Sequence, residues 1–173
     1  MSDDSLNLLI QMSRDLADPD RDYVILGEGN TSARADADTF WVKASGQQMR
    51  GITTDGFVRV AFARVLDLLN ALDISDNAVR EALQAAKVDP SAPGHPSVET
   101  LLHALCLNLN DVNFVGHTHP TAINALTCSA GFETAFAGWL FPDEIVVCGP
   151  ARILVPFTDP GVPLARRVQS MLN

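Results

Sequence analysis

NFVGHTHPTAINALTCSAG (Asn113–Gly131) is the stretch on which the fold turns. Asn113 to Thr118 is apolar and β-prone. Pro120 is well placed at the start of a helix, and Gly131 at its end. A strand that runs directly into a helix is where layered α/β folds place their sites. If the segment is extended, His117 and His119 share one face, about 6.5 to 7 Å apart along the strand. On a helix the same spacing would splay them by about 200°. Two imidazoles on one face suit a single metal ion, and the competing reading is a pair of surface or core histidines.

Working toward the N-terminus, Ser97 to Leu109 has helical periodicity, with Leu102, Leu105, Cys106 and Leu109 as its expected buried stripe. Residues 87 to 97 (KVDPSAPGHPS) hold three prolines and a glycine and read as an irregular loop. Phe62 to Leu72 and Asp76 to Ala86 read as helices. Tyr23 to Leu26, Thr39 to Lys43, Gly51 to Thr54 and Phe57 to Ala61 read as strands, the last two joined by an Asp55-Gly56 turn. GEGNTSAR (Gly27 to Arg34) reads as a glycine-driven turn leading toward the next extended piece. Leu6 to Leu16 is an opening helix. Toward the C-terminus, residues 144–148 and 152–155 read as strands, and Pro160 to Asn173 as a last helix. The order of elements predicts a layered α/β or α+β arrangement, in a single domain over residues 1–173.

The chain has 173 residues, 47% hydrophobic and 19% charged, which is globular composition. Twelve Lys and Arg stand against 21 Asp and Glu, giving a net charge of −9. A chain so acidic, with no basic stripe, argues against nucleic acid as a partner. No apolar run is long enough to span a membrane, and the acidic start differs from a signal peptide, so the expected location is cytoplasmic. Cys106, Cys128 and Cys148 lie in apolar segments at wide spacing, and buried thiols are the expectation.

Three further features can carry chemistry. Glu99 lies near the start of its helix and projects toward the apolar side, which makes it a candidate general base or simply a helix-terminal acid. His103, one turn later, reads as a core histidine. Backbone N–H groups around Gly27 and Gly29, with Asn30, Thr31 and Ser32, can form a nest for an anionic oxygen. The same string lacks the third glycine of a dinucleotide fold and the Gly-Lys-Ser/Thr of a P-loop.

Taken in order, GEGNTSAR, KASG, PSVET, HALCL and GHTHP resemble the class II aldolase/adducin family, and specifically its fuculose-phosphate-aldolase-like members. The resemblance extends from about Leu6 to Leu172. It implies a three-layer α/β/α fold around a central, largely antiparallel sheet. It also implies a homo-oligomer, with a cyclic tetramer favoured and active sites at subunit interfaces. By the same resemblance His117 and His119 match a metal-binding HxH, for zinc or another divalent ion, and Glu99 matches the acid/base carboxylate. Asn30, Ser45, Gly46 and Ser97 match positions that contact the phosphate of a sugar phosphate.

Two departures accompany the match. Val98 stands where some sugar-phosphate aldolases have a second serine. The family's third metal-binding histidine, in an HG motif on a later strand, has no counterpart after His119, as if the C-terminal segment were lacking. His95 is the alternative ligand. The implied activity is a metal-dependent aldolase-type lyase acting on a small sugar phosphate or related hydroxy-carbonyl compound, by stabilising an enediolate. A dehydratase or decarboxylase on the same scaffold, and a non-catalytic adducin-like assembly module, are the alternatives.

Overall fold

A computed structural model describes residues 2–26, 28–71 and 74–172. The helices are α1 (Ser2–Leu16), α2 (Phe62–Leu66), α3 (Asp76–Ala85), α4 (Thr100–Leu107), α5 (Thr121–Thr127), α6 (Phe132–Ala135), α7 (Pro142–Cys148) and α8 (Val162–Leu172). The strands are β1 (Asn30–Arg34), β2 (Thr39–Lys43), β3 (Phe57–Ala61) and β4 (Phe114–His117). They form a four-stranded sheet in the order β3-β2-β1-β4, antiparallel throughout. Strands β1 to β3 make a meander, and β4 pairs on the open side of β1, setting Asn30 opposite His117.

Alternation along the strands divides the core in two. Phe40, Val42, Val58 and Val60 face α2, α3, α4 and α8, in a cluster with Val65, Leu83, Leu101, Leu107 and Ala165. Ala33 and Phe57 face the other way, onto Leu9 of α1 and Ile52. Ser13 of α1 bonds to the Leu9 carbonyl at 2.6 Å and shares a 2.7 Å hydrogen bond with Thr31 of β1, so this buried pair of hydroxyls is satisfied. The three-layer mixed α/β fold with an antiparallel sheet is therefore as the sequence implied.

Several local expectations are corrected. Tyr23 to Leu26 is not a strand, because Asp22 and Leu26 adopt left-handed conformations (φ 53° and 55°) that break any ladder. Residues 51–54 are also not a strand. The Ile52 carbonyl accepts from Arg14 Nε of α1 at 2.8 Å instead of from a neighbouring strand, and the Asp-Gly turn is a single 3₁₀ turn. GEGNTSAR is more than a turn, since Asn30–Arg34 is an inner strand of the sheet. Residues 144–148 are helical, not extended. Pro142 opens α7, and Glu144 in its first turn accepts from the Leu140 N–H at 2.7 Å and from Arg152 at 2.9 Å. Residues 152–155 pair with no strand among the described residues.

The stripe on α4 is shifted as well. Thr100, Leu101, His103, Ala104, Leu105 and Leu107 are the buried residues, while Leu109 is exposed. Buried thiols hold for none of the cysteines in full. Cys106 is partly covered, and Cys128 and Cys148 are exposed because α5 to α7 bury no residue. The expected ends at Leu72 and Asn173, and Gly27, lie outside the described residues.

Candidate active site

Strand β1 carries polar side chains toward α4 at every second position, and α4 answers at every fourth. Asn30 Nδ2 donates to Glu99 Oε2 at 3.2 Å, Ser32 Oγ pairs with His103 Nδ1 at 2.7 Å, and Arg34 donates to the Leu107 carbonyl. Two strand steps span about 6.6 Å and one helical turn of four residues about 6 Å, so the rungs stay in step. This pairing explains why an inner strand is so poor in apolar residues. It also places Glu99 at the helix end where β1 enters the sheet.

Asn30 is fully committed. Its Oδ1 accepts from the Thr31 N–H at 2.9 Å, and its Nδ2 also reaches Ser97 Oγ at 3.1 Å. Thr31 and Ser32 are buried and bonded to Ser13 and His103, so neither hydroxyl serves the expected nest. Gly29 (φ 96°) runs so close to the next strand that a Cβ there would lie 2.9 Å from the His117 carbonyl oxygen.

Across β1, His117 Nδ1 is 3.7 Å from Glu99 Oε1, a contact too long for a hydrogen bond. The His117 and His119 rings lie 4.8 Å apart between centroids, so the two imidazoles of the HxH do stand together at the strand end. His117 Nδ1 and His119 Nε2 are buried with no hydrogen-bond partner. Burial holds the His117 ring below its ordinary pKa; the Glu99 charge opposes this and the His119 charge adds to it. His103 is the core histidine expected. Burial, with the charges of His117 and Lys43, pushes it down to about 3, so it is neutral at physiological pH.

A cavity of about 350 Å³ opens on the other side of Glu99. Glu28, Gly29, Asn30, Lys43, Ser45, Gly46, Ser97 and Glu99 line it, with Gln47 and Gln48. All four residues matched to a phosphate thus share one cavity with the carboxylate. Neither histidine lines it. Glu99 is the link, with one oxygen toward Asn30 and the other toward His117.

Lys43 is the functional candidate that motif reading passed over. Its buried ammonium donates to the Gln47 carbonyl at 2.7 Å and has two protons to spare. Burial lowers its pKa, while Glu99 and Glu28 pull it back up. The signal was present in KASG, where a chain with just two lysines puts one of them at a strand end. The other, Lys87, is structural and donates to the Gly94 carbonyl at 3.1 Å.

The donor set fits a metal ion in part. Two imidazoles with unpartnered nitrogens suit a divalent cation, yet no group of three or more His, Cys, Asp or Glu arranged to hold one occurs among the described residues. His95 does not join them. It is exposed, and its Nδ1 is hydrogen-bonded to Gln84 at 2.8 Å.

The fold is shared with solved structures. The N-terminal class II aldolase domain of a conserved protein from Thermoplasma acidophilum is 28% identical, with a TM-score of 0.70, over 94% of this chain and 73% of that one. An aldolase II superfamily protein from Pseudomonas syringae is 17% identical, with a TM-score of 0.64, over 98% of this chain and 58% of its own. A putative aldolase/epimerase/decarboxylase, YgbL from Klebsiella pneumoniae, is 16% identical, with a TM-score of 0.54, over 76% of this chain and 51% of its own. The chain thus spans little more than half the length of the latter two. No curated protein matches the sequence. Among the described residues no helix is long and apolar enough to cross a membrane. Residues 7–173 match the family model for the class II aldolase and adducin N-terminal domain, and the chain belongs to that family.

Proposed function

We propose that the protein is a metal-dependent, aldolase-type lyase that cleaves a small sugar phosphate or a related hydroxy-carbonyl compound. The observation that carries this reading is the position of Glu99. Its carboxylate is held by Asn30 at one end of a polar cavity and stands 3.7 Å from His117, beside the paired and unpartnered imidazoles. His117 and His119 would hold a divalent cation such as zinc. When bound, that ion supplies Lewis-acid stabilisation of the negative charge left on the substrate carbonyl.

The chain's own residues do the rest. Ser45, Gly46 and Ser97 line the cavity as donors for the phosphate, and the spare N–H donors of Lys43 balance its charge. Asn30 keeps Glu99 pointed at the cavity. Glu99 takes the proton from the hydroxyl next to the bond that breaks. The electron pair of that carbon–carbon bond passes toward the carbonyl, and the proton returns to carbon on the released fragment.

The test is turnover of ketose phosphates by the metal-loaded protein, with products identified by NMR. Retro-aldol cleavage gives two carbonyl fragments, and dehydration or decarboxylation gives water or carbon dioxide. Glu99→Gln should cut kcat by about a hundredfold or more. Equal turnover in both proteins would remove Glu99 from the reaction.

A further inference from the structure

Two carboxylates line the cavity, and they are held differently. Glu99 is fixed by Asn30. Glu28 stands between two glycines in the sequence, its side chain is exposed, and its carboxylate makes no hydrogen bond or ion pair with the described residues. Its backbone, by contrast, is anchored. The Glu28 N–H donates to the Ile25 carbonyl at 2.9 Å, and Gly29, next in the chain, runs close against the His117 carbonyl. The Glu28 charge is felt at both ends of the site, since it acts on Lys43 and on His117 as the Glu99 charge does.

Among the described lining residues Lys43 is the only cation, and it already answers these two carboxylates. Its spare protons are used once a phosphate is bound. A second anionic group on the substrate would find no positive side chain and would meet the Glu28 charge inside a walled cavity, where like charges repel more strongly than in open water. A hydroxyl is treated the other way. Glu28 can only accept and a hydroxyl can donate, while the amides of Gln47 and Gln48, also in the lining, are uncharged and do both.

We infer that Glu28 is a specificity-determining residue, which accepts a hydrogen bond from a substrate hydroxyl and rejects compounds carrying a carboxylate or a second phosphate at the end away from the bound phosphate. The inference rests on the reading of the cavity as a phosphate site and narrows it. The substrate is then a polyhydroxy compound with one acidic end. A decarboxylase would have to seat, beside the reacting carbon, the very group that Glu28 turns away.

The test is calorimetric titration of the full chain at constant ionic strength and near-neutral pH, with metal removed so that a carboxylate has no ion to bind. The probes are 3-hydroxypropyl phosphate and 3-phosphooxypropanoate, which share a phosphate on a three-carbon chain and end in an alcohol or a carboxylate. Neither has the hydroxy-carbonyl group that retro-aldol cleavage needs. The wild type should bind the alcohol about tenfold or more tightly than the carboxylate. Glu28→Gln should close most of that gap by tightening the carboxylate, whereas Glu133→Gln, which removes an exposed acid on α6, should leave it open. Equal binding of the two probes by the wild type, a gap unmoved by Glu28→Gln, or the same closure in Glu133→Gln would overturn the inference and leave the phosphate reading intact. Binding of neither probe would remove both. If ketose phosphates are not cleaved but the gap responds to Glu28, the lyase reading fails and the selectivity stands.

Discussion

Asn30 Nδ2 holds Glu99 Oε2 at 3.2 Å, and Asn30 is also the cross-strand partner of His117. One amide on an inner strand therefore sets the carboxylate and the first imidazole of the HxH in a fixed relation. Asn30→Ala should lower kcat about ten- to a hundredfold, the worth of one hydrogen bond to a charged group. It should also cost about 1 to 3 kcal/mol of stability, since Ser97 and the Thr31 N–H lose their partner. Steady-state kinetics and urea unfolding check both. Wild-type kcat in this variant would show that Glu99 needs no positioning.

Lys43 separates binding from stability. Its ammonium is buried at some cost, so Lys43→Met should leave the melting temperature unchanged or raise it. Loss of the cavity's cation should raise KM for a phosphorylated substrate about tenfold or more, with kcat little altered. A fall in kcat at constant KM would assign Lys43 a different role.

Metal content tests the imidazole pair. Protein stripped with chelator and refilled with zinc should hold close to one ion per chain, and His117→Ala or His119→Ala should empty it. Zinc at a hundred times its dissociation constant should stabilise the wild type by about 2.7 kcal/mol. Neither variant should gain. Elemental analysis and thermal unfolding read the two effects independently.

His103 makes stability depend on pH. Its folded-state pKa, about 3, lies below the unfolded value of 6.5, so below pH 6.5 the unfolded chain binds a proton that the folded chain refuses. The stability it contributes is complete above pH 6.5 and is lost as the pH falls, at up to about 1.4 kcal/mol per unit. His117, also held low by burial, acts in the same direction. Between pH 6.5 and 5, before most carboxylates titrate, unfolding free energy should fall less steeply in His103→Gln than in the wild type. Parallel slopes would mean that the ring already carries a proton when folded.

The residues of the site were more legible in the sequence than the elements that present them. His117 and His119 could be paired from the alternation of a strand, and that inference needed only Phe114 and Val115 before them and Pro120 after. Strand β1 was harder to read. Asn30, Ser32 and Arg34 face a helix, yet they are polar because the helix offers a carboxylate, an imidazole and a carbonyl rather than methyl groups. No hydropathy pattern announces such a strand. Residues 144–148 erred the other way. Ile145, Val146 and Val147 carry β-branched side chains, but Pro142 and Glu144 act on the backbone and win locally. Lys43 was in view within KASG, and its value depends on burial, which spacing does not report.

The rungs between β1 and α4 behave as a vernier. Each interval mismatches by about 0.6 Å, so across the two intervals from Asn30 to Arg34 the slip is about 1.2 Å, within what side chains absorb. A fourth rung would strain the register, and a single residue inserted between Glu99 and His103 would swing the carboxylate about 100° around the helix axis. Length is therefore what this short helix has to keep: a substitution leaves the rungs in step, whereas an insertion or deletion between Glu99 and Leu107 separates them.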